Sequence, residues 1–280
     1  MIFVLFILFT TVAYGQDSNE IPSFYQMLIY RLSQEGFDFG FLSQLFIDPR
    51  AVLNPSLMTL SLVSRETTEL YIPFLTPESI LLAKTFLREN LKILKEMEKR
   101  FNVDKEVVVA ILLVESRFGE NIGKYRVIPT LASIALMDSS ENLLKNYEIL
   151  WEDNPEISFE WLENRGRRRA HWAYNELKYF LKIIRHEEID PLEVYGSKAG
   201  AMGMAQFIPS SYLVYALNEK GLEKWLLNKE EAIFSIGNYL KSHGWKKNLS
   251  IEKKKRILWY YNYSEPYIET VFRVAQKIKH

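Results

Sequence analysis

Glu115 stands where the apolar run Val107-Val108-Val109-Ala110-Ile111-Leu112-Leu113-Val114 ends and Ser116-Arg117 begin. If residues 104–117 form a helix, Glu115 falls eight positions after Val107 and four after Ile111, on the face those residues turn toward the core. A carboxyl group there loses hydration, and the last turn of a helix adds the negative end of its dipole. Both effects disfavour the anion and raise the pKa. A carboxylic acid that stays protonated near neutral pH is what general-acid catalysis requires. The position also admits a plainer role, a helix-end glutamate paired with Arg117 or Lys124. The run itself admits two conformations: its β-branched residues favour a buried strand, whereas Asp104 and Glu106 favour a helix start.

Other chemistries find little support. The four histidines, His171, His186, His243 and His280, show no zinc-type spacing, and there is no Asp-rich twelve-residue calcium loop. Cysteine is absent, which excludes disulfides, thiolate metal sites, a thiol nucleophile and a lipid-bearing cysteine. The segment from Gly196 to Gly203 lacks the Gly-Lys-Ser/Thr ending of a phosphate loop, and no Gly-x-Ser-x-Gly elbow occurs. Lys plus Arg total 35 against 35 Asp plus Glu, so no net basic field is available to hold nucleic acid.

The elements that must position these residues are mostly helical. With 280 residues, 48% hydrophobic and 25% charged, the chain is long enough to bury a sizeable core as a stable monomer. Residues 1–15 read as a signal peptide: Ile2 to Val12 are apolar except for Thr10 and Thr11, and Ala13-Tyr14-Gly15 supplies small residues for cleavage. The stretch is about half of the roughly 20 residues a membrane span needs, so export is expected, with a retained anchor as the alternative. Residues 16–74 read as an extension of short helices and loops, punctuated by Gly36, Gly40, Asp48-Pro49 and Asn54-Pro55. Thr76-Pro77-Glu78 predicts an N-cap opening one long amphipathic helix to Phe101, with Glu96 and Arg100 paired on its wet face. Residues 136–169 read as a loop and helix insertion whose cluster Arg165 to Arg169 suits a solvated face, with a polyanion contact as the alternative. Further helices fit 229–243, 252–261 and 266–279.

Val114-Glu115-Ser116-Arg117-Phe118-Gly119, with Gly123-Lys124 and Thr130-Leu131-Ala132, resembles the catalytic-glutamate region of the B-type lytic murein transglycosylases, family 103 of the glycoside hydrolases. Three further segments agree in order. Gly196-Ser197 with Ala199 to Gly203, Gln206-Phe207 and Pro209 to Tyr212 resemble the family's active-site loop. Asn238-Tyr239 and His243-Gly244-Trp245 resemble its next helix, and Tyr261-Asn262 with Ser264 and Tyr267 resemble its last motif. The likeness covers about Phe74 to Val274. It implies a lysozyme-like helical catalytic domain over 75–280, which selects helix for residues 107–114. It also implies Glu115 as acid and base, and Ser197, Gln206, Tyr239, Tyr261, Asn262 and Tyr267 along a sugar groove. Structural roles remain open for Tyr239 and Tyr261 in the core and for Ser197 as a turn cap.

Two departures stand out. The 136–169 segment is longer than in relatives, and Asn218 to Glu223 occupies the place where some relatives hold a calcium loop, so no cofactor or metal is carried over. The implied substrate is the glycan strand of peptidoglycan, with cell-wall synthesis or turnover proteins as possible partners. The implied reaction cuts between N-acetylmuramic acid and N-acetylglucosamine and closes a 1,6-anhydro ring. The alternatives are a hydrolytic muramidase, with Asp190 or Glu193 ordering water, and a non-catalytic peptidoglycan-binding or scaffold protein.

Overall fold

Apolar residues at helical spacing, in many cases opened by Ser, Thr, Asp or Asn, build most elements among the described residues. The computed structural model describes residues 20–64 and 66–279; the expected signal peptide lies outside them. No helix among the described residues is long and apolar enough to cross a membrane. The chain divides into two units, one ending at Pro49 and one starting at Arg50.

The first unit holds α1 (Ser23–Gln34) and α2 (Phe39–Ile47). Asp38 caps α2 by accepting the Phe41 N–H at 2.6 Å, and the Tyr25 and Phe46 rings meet at 4.5 Å.

The second unit begins with α3 (Pro55–Val63), a 3-10 helix (Thr68–Leu75) and α4 (Pro77–Glu89). The Thr76 side chain accepts from Ser79 N, so the predicted cap forms. The single long helix does not. It breaks at Asn90, and α5 (Leu91–Phe101) starts anew. The buried Asn90 side chain donates to the Phe86 carbonyl at 2.8 Å, and a short polar side chain that bonds the preceding turn competes with helix continuation. Arg100 lies over the Phe101 and Phe234 rings, and no Glu96 pair forms.

The ambiguous run is helix α6 (Lys105–Ser116), with Val107 to Leu113 buried. Burial on every side explains why its residues show no clean period. Its start is anchored by Asp104, which accepts from the Trp245 indole at 3.0 Å and from the Lys254 ammonium at 2.7 Å. Its end turns sharply, because Arg117, Phe118 and Gly119 all take positive φ. The Phe118 ring then stacks on Phe86 with centroids 4.1 Å apart.

Strand β1 (Tyr125–Arg126) leads into α7 (Val127–Ala135), which is buried throughout. After a 3-10 turn come α8 (Ser140–Asp153) and the 26-residue α9 (Phe159–Ile184), which packs along α7. The region expected as an insertion is therefore α8 plus the first turns of a helix that continues into the core. The arginine cluster divides along it. Arg167 pairs with Glu163 in water, whereas Arg165 and Arg169 fold half-buried over the Trp161 and Trp172 rings.

Strand β2 (Tyr195–Gly196) pairs antiparallel with β1, Tyr125 opposite Gly196. The loop after it leads to α10 (Pro209–Tyr215), α11 (Leu222–Trp225), α12 (Lys229–Ser242), α13 (Ile251–Tyr261) and α14 (Glu265–Lys279). The last three lie where the sequence predicts them. α14 packs along α6 and the 3-10 helix, bringing the C-terminal motif onto Glu115.

Candidate active site

Glu115 lies in the last turn of α6 and keeps part of its surface open while protein surrounds its carboxyl group. The Tyr267 hydroxyl, on the first turn of α14, donates to Glu115 Oε1 at 2.6 Å. The expected alternative partners are elsewhere: Arg117 pairs with Glu120 at 3.2 Å, and the Lys124 ammonium lies over the Tyr125 ring. Burial pushes the Glu115 carboxyl from 4.5 up to about 8; the Tyr267 hydrogen bond opposes that rise and the charge of Glu66 adds to it. Burial beside this acid also raises the Tyr267 and Tyr261 phenols well above their ordinary range, so both are hydrogen-bond donors at neutral pH.

The tyrosines form a layered wall. The Tyr261 ring stacks parallel to Tyr267 at 6.4 Å, and its hydroxyl donates to the Ala205 carbonyl at 2.6 Å. Tyr239 is only 5% exposed. Its ring lies between His243 and Tyr261, and its hydroxyl donates to the Tyr260 carbonyl at 2.6 Å, so it supports Tyr261 from behind.

The loop after β2 is tied to the end of α6 by the residue that follows the acid. Ser116 donates to the Met204 carbonyl at 2.8 Å and accepts from Gly119 N at 3.0 Å. Gln206 sits at φ +47° and donates its amide to the Ile122 and Gly203 carbonyls at 3.1 and 2.9 Å. Both donors are thereby committed to the backbone, leaving the amide oxygen as its functional end. Ser197 Oγ accepts from Ala199 and Ala201 N–H groups at 3.2 and 3.1 Å, so it caps the turn, and its hydroxyl hydrogen is its remaining donor.

Asn262, just past α13, points its amide nitrogen at a residue the sequence did not single out. Both Glu66 oxygens lie 3.2 Å from Asn262 Nδ2, and the Tyr71 hydroxyl also donates to Glu66. Nothing in the spacing of Glu66 or Tyr71 links them to Glu115; only the packing of the 3-10 helix on α14 does so. Beside this group opens a cavity of about 660 Å³ whose lining includes Glu66, Asn262, Tyr263 and Ser264 together with Arg165, Arg169 and Lys198. Its lining stops one residue layer short of Glu115: Ser264, in the lining, accepts the Tyr267 N–H.

Among the described residues no three His, Cys, Asp or Glu side chains cluster as metal ligands. Asp190 and Glu193, the carboxylates considered for ordering water, both bind Arg50, at 2.6 and 2.7 Å, and Glu193 also binds Arg126.

The chain belongs to the transglycosylase SLT domain family, which it matches over residues 23–257. Over 177 residues it is 33% identical to membrane-bound lytic murein transglycosylase B of Escherichia coli (strain K12), covering 62% of this chain and 41% of that protein. The chain thus matches about two-fifths of the length of that curated relative. Among solved structures, soluble lytic transglycosylase SltB1 from Pseudomonas aeruginosa superposes with a TM-score of 0.71 at 23% identity, over 92% of this chain and 98% of that one. SltB3 from Pseudomonas aeruginosa, solved with NAG-anhNAM-pentapeptide, gives 0.68 at 20% identity, over 91% and 79%. These likenesses establish the fold, mostly α and lysozyme-like, as the sequence predicts.

Proposed function

We propose that this protein is a peptidoglycan lytic transglycosylase in which Glu115 serves first as acid and then as base. The observation that carries the reading is the Glu115 carboxyl group itself, half-buried at a helix end, bonded by Tyr267 and holding its proton to about pH 8. At neutral pH it is the acid form. It protonates the glycosidic oxygen between N-acetylmuramic acid and N-acetylglucosamine, and that bond breaks. The carboxylate left behind accepts the proton of the muramyl C6 hydroxyl as that oxygen bonds to C1. The products are a 1,6-anhydro end and a free hydroxyl on N-acetylglucosamine; no water is consumed. One group with a pKa near the working pH can serve both steps, which removes the need for a second carboxylate.

Tyr261, half-buried, supplies an aromatic surface against the sugar, and the buried Tyr267 and Tyr239 rings back it. Asn262, Gln206 and Ser197 offer acceptor and donor groups for acetamido and hydroxyl substituents. The cations in the cavity lining, Arg165, Arg169 and Lys198, suit the carboxylates of muramyl residues and their peptide stems. The apolar segment 2–12 followed by Ala13-Tyr14-Gly15 supports export toward the cell wall, where such a substrate lies.

The test is to incubate the purified protein with peptidoglycan sacculi and weigh the released fragments. Fragments lighter by one water than the corresponding reducing-end sugars support the transglycosylase. Reducing-end fragments support the muramidase, and no release by a folded protein supports a binding protein.

A further inference from the structure

The chain between α3 and the 3-10 helix contributes a carboxylate to the rim of the site. Glu66 touches Asn262 of the candidate machinery and Tyr71 behind it, and lines the cavity beside them. Its two oxygens both receive Asn262 Nδ2 at 3.2 Å, and the Tyr71 hydroxyl donates to Oε2. Tyr71 is 7% exposed, and its ring meets the Tyr267 ring edge-on at 6.1 Å. A continuous path of packed groups therefore runs from Asn262 through Glu66 and Tyr71 to Tyr267 and Glu115.

We propose that Glu66 is a positioning residue for this reaction: its carboxylate fixes the polarity of the Asn262 amide and acts on Glu115 through the packed Tyr71 and Tyr267. The proposal rests on the transglycosylase reading. An asparagine whose NH2 group is held by a carboxylate presents its carbonyl oxygen to a ligand, so Asn262 becomes an acceptor for an acetamido N–H or a sugar hydroxyl. A like charge near a buried carboxyl group disfavours its ionisation, which is the direction in which Glu66 acts on Glu115.

The other groups in reach do not substitute for it. Facing Glu115 are the Tyr267, Tyr261 and Tyr71 phenols, all raised by burial and neutral near pH 7. Arg117 on its own helix turns to Glu120, and the charged group that α5 brings to α6, Glu98, meets Lys105 at the far end. Around Glu66, besides Tyr71 and Asn262, the cavity holds Arg165, Arg169, Lys198 and Glu265.

The experiment compares the full chain with Glu66→Gln and Glu66→Asp. It reads the pH profile of kcat/KM on glycan strands and the titration of the Glu115 carboxyl carbon by NMR without substrate. Glu66→Gln is expected to move both the alkaline limb and the carboxyl midpoint down by about half a pH unit or more and to raise KM about threefold or more, since its own NH2 lets the Asn262 amide turn over. Glu66→Asp keeps the charge and is expected to keep the wild-type midpoint. Coincident midpoints in all three proteins overturn the proposal, even if Glu66→Gln loses activity. It is also overturned if the wild type makes reducing ends that Glu66→Gln cannot make, because Glu66 is then the base for water. If the wild type releases no fragments, the functional reading fails, while the NMR midpoints still decide whether the Glu66 charge acts on Glu115.

Discussion

The Tyr267 hydroxyl and the Glu115 carboxyl group, 152 residues apart in sequence, share a 2.6 Å hydrogen bond inside a wall of stacked phenols. The bond favours the anion while burial favours the acid, and burial dominates, with the carboxyl group at about 8. This balance places the titration of the carboxyl group within reach of neutral pH.

Replacing Glu115 with Gln keeps the shape and an acceptor for Tyr267 but removes the transferable proton. Fragment release from sacculi is expected to fall by about 10²- to 10⁴-fold, the usual worth of a general acid–base group. Release within a factor of a few of wild type would remove Glu115 from the catalytic role.

The same variant carries a stability signature whose sign follows from the raised pKa. In the unfolded chain the carboxyl ionises near 4.5, whereas in the folded chain it holds its proton to about 8. Its contribution to stability is thus complete below about 4.5 and is lost progressively as pH climbs to about 8, reaching on the order of 3–4 kcal/mol after allowance for its partial exposure. Glu115→Gln has no such loss. Urea unfolding is expected to show the two proteins matched near pH 4.5 and the variant more stable by a few kcal/mol at pH 9; a constant offset between those pH values would contradict the buried-acid account.

Tyr267→Phe deletes the bond that favours the Glu115 anion, so the carboxyl pKa is expected to rise further and the alkaline limb of activity to move up. That is opposite to the shift expected for Glu66→Gln. Loss of the buried bond is also expected to cost about 1 kcal/mol of stability at pH 5. A downward or absent shift in the limb would show that the bond does not act on the acid.

Gly123 adopts φ +97°, and a Cβ there would lie 2.0 Å from the Gly196 carbonyl oxygen, on the backbone that pairs β1 with β2. No side-chain rotation relieves a clash with backbone. Gly123→Ala is expected to cost about 3 kcal/mol or more and to displace Ser197 and the loop behind it, read as a fall in Tm together with at least tenfold lower activity. A variant with wild-type Tm would mean that this loop yields more readily than its packing implies.

Ser116→Ala removes the tie between α6 and the Met204 carbonyl and the acceptor for Gly119 N. The expected cost is about 1–3 kcal/mol, because a buried carbonyl loses its partner, with activity falling as the loop loosens. Thermal unfolding beside fragment release checks both effects.

Features resting on neighbouring residues were legible in the sequence. The Thr76 cap and the three C-terminal helices follow from local pattern, as does the helix face that Glu115 shares with Val107 and Ile111. The break at Asn90 was not legible, since a buried asparagine bonded to the carbonyl four residues back looks in sequence like any helical asparagine. Neither was the division of the arginine cluster, which depends on which tryptophan each guanidinium meets. Glu66 and Tyr71 gave no signal, because no short-range rule relates a polar linker before a 3-10 helix to a carboxyl group some fifty residues on. The plainer pairing of Glu115 with Arg117 failed for a backbone reason: the left-handed turn at Arg117 sends its side chain toward Glu120.

That turn has a consequence for anyone who would remodel the protein. Three successive left-handed residues forbid the helix from sliding or lengthening by a turn, and the Phe118 ring clasped on Phe86 locks the stop in place. How deep the Glu115 carboxyl group sits is thus dictated by the shape of the main chain and the ring pair that holds it. Its surroundings can be rewritten to retune the acid without moving it along the helix.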